Sequence, residues 1–205
     1  MQLRPCQIPM SIFVIDDHPL MREAIAMLVR RLSSNANVVE LGRIAVVSQA
    51  VEKHGLPQLI CLDLKLPDTH GVSGIRELKR NYPDVPILVL TASPSSDYED
   101  LAIEAGAAAF LEKSVGATEI AHVLRAFLID EPDADTETTI SIGKLSKRQK
   151  QLLVLLDKGL SNRDIADNLQ ISEHTVKVHL WRLFRRLNVK SRSQAGHLAR
   201  TQGLL

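Results

Sequence analysis

Five residues able to do acid, base or hydroxyl chemistry stand just beyond short apolar runs. Asp16 and Asp17 follow SIFVI, Asp63 follows QLICL, Thr91 follows VPILVL, and Lys113 comes two residues after AAAFL. Three carboxylates brought to one place repel each other unless a cation sits among them, and hard oxygen donors with room for water suit magnesium. A lysine and a hydroxyl beside them would hold a phosphoryl group on one carboxylate, which then acts as the nucleophile. The scattered spacing says little by itself. The set becomes informative only if one element type delivers all five side chains to the same edge.

That element type is a parallel sheet. The apolar runs 11–15, 38–41, 58–62, 85–90 and 107–111 read as strands, and the stretches 20–32, 46–54, 72–81, 95–105 and 118–128 read as helices. A fivefold alternation of continuous apolar strands with helices predicts an α/β fold: a five-stranded, doubly wound parallel sheet of flavodoxin-like type covered on both faces. Such sheets bind ligands outside the carboxyl ends of their strands, where the five residues fall. Pro67 and Gly71 supply turns in the loop that must bend around the site. His18 and His70 flank the carboxylates and read as solvated loop histidines.

Charge divides the rest of the chain. The whole protein is nearly neutral at +1, with 45% hydrophobic residues, but residues 1–129 carry 12 basic and 15 acidic groups. Residues 130–143 carry five acidic groups (Asp130, Glu131, Asp133, Asp135, Glu137) and no basic one, and residues 144–205 carry 13 basic against 4 acidic. A basic final third is the electrostatic footprint of a nucleic-acid surface, because Lys and Arg displace phosphate counterions. The boundaries that follow are an extension at 1–10, a first domain at 11–128, an acidic exposed linker at 129–143 and a second domain at 144–205.

The text FVIDDHP, CLDLKLPDTHG, VLTA and AGAAAFLEKS resembles the receiver domain of two-component response regulators over residues 11–128. The resemblance implies that Asp63 is the phosphoacceptor. It implies that Asp16, Asp17, Asp63 and the backbone carbonyl of Lys65 hold Mg2+. Thr91 and Lys113 would contact the phosphoryl oxygens, Phe110 would be the switch aromatic, and a sensor histidine kinase would be the partner.

In the last third every pattern is helical: 146–158, ending before Gly159, then 163–169, 172–187 and 194–202. Ser161 and Ser172 offer N-caps, and Ser191-Arg-Ser-Gln194 offers a fuller capping box. On the helix 172–187, Val176, Leu180, Leu183, Phe184 and Leu187 form an apolar stripe that must pack inward. His174, Val178, Trp181, Arg182 and Arg185 stand opposite, with Lys177 at the flank, and His179 to the side reads as structural. A short helix, a tight turn at Gln170-Ile171 and a second helix with a cationic outer face predict an all-α four-helix helix-turn-helix domain, its second helix entering the major groove.

Residues 145–199 closely resemble the LuxR-type DNA-binding domain of NarL-like regulators. That resemblance implies base contacts by Lys177, Val178 and the position of Trp181, with phosphate contacts from Ser172, Thr175, Lys190 and Arg192. Arg185 belongs to the same DNA-facing set. The last helix resembles the family's dimerisation helix. Two residues depart from the pattern. Gln149 replaces a common glutamate, which removes a salt bridge, and Trp181 stands where a more polar residue is usual. Its uses stay open among contact with a thymine methyl, contact with the first domain when inactive, and packing against Lys177 or Arg185.

Together these imply a phosphorylation-controlled, DNA-binding regulator in the cytoplasm that dimerises when activated or on DNA. It would not be an enzyme beyond the phosphorylation and dephosphorylation of Asp63. A phosphohydrolase built on Asp63 is disfavoured because Asp63-Leu-Lys65 lacks the second aspartate that such enzymes carry two residues on. A constitutive DNA binder stays as the competing class, recognised by an affinity indifferent to Asp63→Asn. Cys6 and Cys61 allow no disulfide framework or cysteine-based zinc site, with Cys61 reading as a small buried hydrophobe. No run approaches the roughly 18 apolar residues of a membrane span.

Overall fold

A computed structural model describes residues 10–129 and 145–204. The residues expected to form the N-terminal extension and the acidic linker lie outside the described set, apart from Met10 and Ile129. No described helix is long and apolar enough to cross a membrane.

The first unit of the chain, up to Leu124, alternates strand and helix as its apolar pattern requires. The strands are β1 (Ser11–Ile15), β2 (Asn37–Leu41), β3 (Leu59–Leu62), β4 (Ile87–Thr91) and β5 (Ala109–Glu112). The helices are α1 (Pro19–Leu32), α2 (Val47–His54), α3 (Ser73–Asn81), α4 (Ser95–Glu104) and α5 (Ala117–Leu128). All strand pairs are parallel, in the order β2-β1-β3-β4-β5. Every residue of β1, β3 and β4 is buried, which explains why those strands read as unbroken apolar runs rather than alternating ones.

Phe13, Ile60, Leu62, Ile75, Leu78, Ile87, Val89 and Phe110 belong to one apolar cluster between sheet and helices. Cys61 is among the fully covered side chains, and burial pushes its thiol up to about 12, so at neutral pH it stays protonated and packs as a hydrophobe. The chain leaves β1 towards β2 on one side and returns through β3 on the other. The carboxyl ends of β1 and β3 therefore flank the point where strand order reverses.

The second unit runs from Arg125 and takes in the last turn of α5. Its further helices are α6 (Lys147–Asp157), α7 (Asn162–Leu169), α8 (Glu173–Leu187) and α9 (Arg192–Thr201). Leu152, Leu153, Leu156, Ile165, Val176, Leu180, Leu183, Leu187, Ala195 and Ala199 form their common core, with Phe184 partly buried against it. The inward stripe expected on α8 is therefore the stripe that packs.

Local capping explains where these helices start. Ser146 and Gln149 form a full capping box on α6, as do Ser161 and Asp164 on α7. The Ser161 hydroxyl and backbone amide hold the Asp164 carboxyl below its ordinary value. At α9 the box expected between Ser191 and Gln194 is only half made. Ser191 Oγ accepts from Gln194 N at 3.2 Å, while Gln194 Oε1 reaches one residue further back, to Lys190 N at 2.8 Å. Gln149, whose amide departs from the family's glutamate, accepts from Ser146 N at 3.1 Å and so does an N-terminal job that a glutamate would also do. The α7–α8 turn passes through Gln170, held in the left-handed region at φ 52°, a tight reversal made without glycine.

Candidate functional site

Strand register explains how the acidic set assembles. Ile15 pairs with Leu62, and Leu62 with Val89, so the residues just after β1 and β3 and at the end of β4 reach the same edge. Thr91, the last residue of β4, pairs with Glu112 at the end of β5, which puts Lys113 next to them.

Asp16 is 1% exposed and Asp63 is 3% exposed, burial that an isolated carboxylate could not sustain. The compensation is Lys113, whose Nζ lies 2.6 Å from Asp63 Oδ2 and 2.8 Å from Asp16 Oδ2. Burial pulls the Lys113 ammonium down, but the hydrogen bonds and charges of Asp16 and Asp63 together outweigh it. Its pKa therefore stands above the ordinary lysine value. The other carboxylate oxygens meet backbone donors: His18 N donates to Asp16 Oδ1 at 2.9 Å, and Lys65 N to Asp63 Oδ1 at 3.2 Å. Arg22 Nη1 donates to the Asp16 carbonyl at 2.7 Å and fixes the β1–α1 loop from behind.

Asp17 sits at the rim with its side chain 37% exposed, and His18 Nδ1 lies 2.8 Å from its Oδ1. Ligand atoms of Asp16, Asp17, His18 and Asp63 all fall within 4.8 Å of one another. Two buried carboxylates, one rim carboxylate and an accessible mouth form a hard-oxygen donor set, and this fits a divalent cation that keeps several waters. The approach of His18 to Asp17 was not foreseen from sequence, where His18 reads only as solvated. Its imidazole is indeed exposed. The clue available was adjacency, since residues 16–18 leave the strand together.

Thr91 is fully buried, and its Oγ1 accepts from Ser93 N at 3.2 Å. Phe110 is 1% exposed, packed in the main core rather than turned outward. Lys65 is exposed beside the cluster, and His70 is exposed with its backbone N–H donating to Ser73 Oγ.

The DNA-facing set expected on α8 is only partly on the surface. Arg185 and Lys190 are exposed and Lys177 is half-buried. Val178, expected at base edges, has no exposure at all, and Thr175 is buried. Thr175 Oγ1 lies 2.9 Å from Ser172 Oγ, whose oxygen also caps α8 by accepting from Thr175 N, so both hydroxyls serve the helix start. Arg192 turns inward: its guanidinium donates to the carbonyls of Leu156 and Leu160, at and just beyond the end of α6.

Trp181 is half-buried, with the Arg185 guanidinium carbon 5.3 Å from its ring centre. The Phe127 ring stands 5.9 Å from it, and Arg182 Nη2 donates to the Phe127 carbonyl at 2.9 Å. Val178 lies one helical turn before Trp181 and Arg182, two residues of α8 that meet Phe127. An outward face read from the helical wheel is thus partly occupied by the last turn of α5. The wheel shows which side is not core but cannot show what packs on it.

Comparison with known proteins bears on both units. Residues 12–125 match the family model of the response regulator receiver domain, and residues 143–199 match that of the bacterial regulatory proteins of the luxR family. The chain is 32% identical over 204 residues to the glycerol metabolism activator of Pseudomonas putida, covering 90% of this chain and 92% of that one. It is 29% identical over 205 residues to the DNA-binding transcriptional activator DevR/DosR of Mycobacterium tuberculosis, covering 92% and 93%. Among solved structures, the RcsB response regulator of Salmonella typhimurium shares the fold at 19% identity and a TM-score of 0.54, over 95% of this chain and 100% of that one. A LuxR-family two-component response regulator from Aurantimonas sp. SI85-9A1 matches at 28% identity and a TM-score of 0.52, over 58% of this chain and 84% of that one.

Proposed function

The chain belongs to the bacterial response regulators that join a receiver domain to a LuxR-type DNA-binding domain, and from that premise we propose that Asp63 is the phosphoacceptor that controls DNA binding by α8. The observation that carries this reading is the pair of buried carboxylates, Asp16 and Asp63, bridged by the Lys113 ammonium. It is an arrangement with a nucleophile, a site for a cation, and a positive group placed to receive more negative charge.

The donor is a phosphohistidine of a sensor histidine kinase. An Asp63 carboxylate oxygen attacks phosphorus, the phosphorus–nitrogen bond breaks, and the departing imidazole takes up a proton. Asp16, Asp17, Asp63 and the Lys65 carbonyl hold Mg2+, which when bound draws charge from the phosphoryl oxygens. Lys113 is retained beside the new phosphate as its fixed cation, and the Thr91 hydroxyl donates to a phosphoryl oxygen. Phe110, buried on β5 of the same sheet, is the aromatic whose packing differs between the two states. Only a few kcal/mol of differential stabilisation is needed to move such an equilibrium, within reach of a new phosphoryl contact.

The domain division proposed is 11–128 for the receiver, 129–143 for the linker and 144–205 for the DNA-binding domain. The activated form dimerises and binds duplex DNA in the cytoplasm. Ser172, Thr175, Lys177, Val178, Trp181, Arg185, Lys190 and Arg192 are the proposed contact set. Several of them are held in other interactions in the state described, so they reach DNA only after rearrangement. The chemistry of Asp63 is a switch rather than turnover of a substrate.

The test is phosphorylation of the full-length chain by acetyl phosphate with Mg2+, followed by intact-mass measurement. One phosphoryl group on wild type and none on Asp63→Asn is the expected result. Equal labelling of both proteins, or none of either, contradicts the assignment.

A further inference from the structure

The loop from β4 to α4 spans Ala92 to Pro94 and is tied at both ends by hydrogen bonds of different origin. At its start, Ser93 N donates to Thr91 Oγ1 at 3.2 Å. At its end, Ser95 N, the first residue of α4, donates to Oε1 of Glu112 at 2.6 Å. Glu112 belongs to β5, pairs in register with Thr91, and immediately precedes Lys113. Its other oxygen accepts from Ser114 Oγ at 3.0 Å, which braces the carboxylate. The cap residue of α4 is Pro94, which has no side-chain acceptor to offer, so Glu112 satisfies from a neighbouring strand an N–H that the helix leaves unpaired. A carboxylate there also complements the positive end of the helix dipole.

We infer that Glu112 is a positioning residue for the switch, tying the start of α4 to the strand that carries Lys113. This rests on the phosphoryl-switch reading above. Thr91 is 0% exposed and Ser93 is 3% exposed, so a displacement of the Thr91 hydroxyl towards a phosphoryl oxygen cannot be absorbed by solvent and must be passed along the loop. Ser95 stays tied to β5 by Glu112, and the loop therefore deforms about Ser95 and turns the first turn of α4. Without Glu112 the same displacement dissipates in a loosened helix start. Sequence spacing gives no hint of this role, because Ser95 and Glu112 are 17 residues apart.

The experiment uses the full chain, phosphorylated by acetyl phosphate and quantified on phosphate-affinity gels. DNA affinity is read by fluorescence anisotropy, with and without phosphorylation. Glu112→Ala removes the acceptor, Glu112→Gln keeps it, and Ser95→Pro removes the donor. Proline suits the first helical position, and Pro94 already has φ −59° and ψ 141°, the conformation a following proline requires.

The expected result is normal phosphorylation of all three variants. The phosphorylation-dependent gain in DNA affinity then falls at least threefold in Glu112→Ala and Ser95→Pro and is largely kept in Glu112→Gln. Wild-type gain in both Glu112→Ala and Ser95→Pro overturns the inference. So does a loss in Glu112→Ala that Ser95→Pro does not share, or one explained by lost phosphorylation. A wild-type protein that phosphorylates without gaining affinity overturns the switch reading itself and the role of Glu112 with it.

Discussion

The Lys113 ammonium lies 2.6 Å from Asp63 Oδ2, although 50 residues of chain separate the two. It is nine-tenths buried and shared with Asp16, so one cation neutralises two carboxylates that have almost no access to water. Removing it leaves both buried and facing each other. Lys113→Met is expected to destabilise the protein without divalent cation by about 3 kcal/mol, the usual cost of stripping one partner from a buried pair. Urea denaturation with and without Mg2+ measures this, and added Mg2+ should recover more stability in the variant than in wild type.

The same cluster sets a pH dependence. The Lys113 pKa is raised in the folded protein above its ordinary value of 10.5, so the unfolded chain releases its proton first as pH rises. Its contribution to stability is therefore complete below about pH 10 and is lost as pH climbs through the folded pKa. The stability difference between wild type and Lys113→Met should be constant from pH 7 to 9 and shrink above pH 10.5.

Arg192 and Lys190 separate stability from DNA contact. The Arg192 guanidinium donates to carbonyls of Leu156 and Leu160, whereas Lys190 is exposed. Arg192→Ala is expected to lower stability by about 1–3 kcal/mol through the hydrogen bonds lost at the Leu156 and Leu160 carbonyls and to show as a fall in Tm. Lys190→Ala should leave Tm alone and reduce the slope of log affinity against log salt by about 1. A fall in salt slope without a fall in Tm for Arg192→Ala would mean that Arg192 meets phosphate and does not brace the end of α6.

Phe127 and Trp181 offer an optical test. Trp181 is the only tryptophan, and its ring meets Phe127 at a centroid distance of 5.9 Å. Phe127→Ala should shift its emission to the red and raise acrylamide quenching, because water replaces the covering ring. Unchanged emission would mean that Phe127 does not shield it.

What was legible in the sequence follows from periodicity. Strands buried on both faces have to be apolar throughout, so β1, β3 and β4 announce themselves, and Asp16, Asp63 and Thr91 are conspicuous as the first polar residues after or at their ends. The apolar stripe of α8 is equally visible, because a helix repeats its core contact every three or four residues. What was not legible depends on contacts between distant segments. Nothing local says that Phe127 will cover Trp181, that Arg192 will turn towards the end of α6, or that Glu112 will cap α4. The half-made box at Ser191 shows the same limit at short range, since the Gln194 side chain accepts from Lys190 N and not from the cap residue's own N–H.

The central claim is that a phosphoryl group on Asp63 changes DNA affinity. Its most direct test is fluorescence anisotropy of a DNA enriched by selection on residues 144–205, titrated with the full-length protein with and without beryllofluoride and Mg2+, and with Asp63→Asn as control. A severalfold gain in wild type that vanishes in Asp63→Asn is the predicted result. Equal affinity in all of these conditions would contradict the account and leave a DNA binder whose carboxylate cluster does not control it.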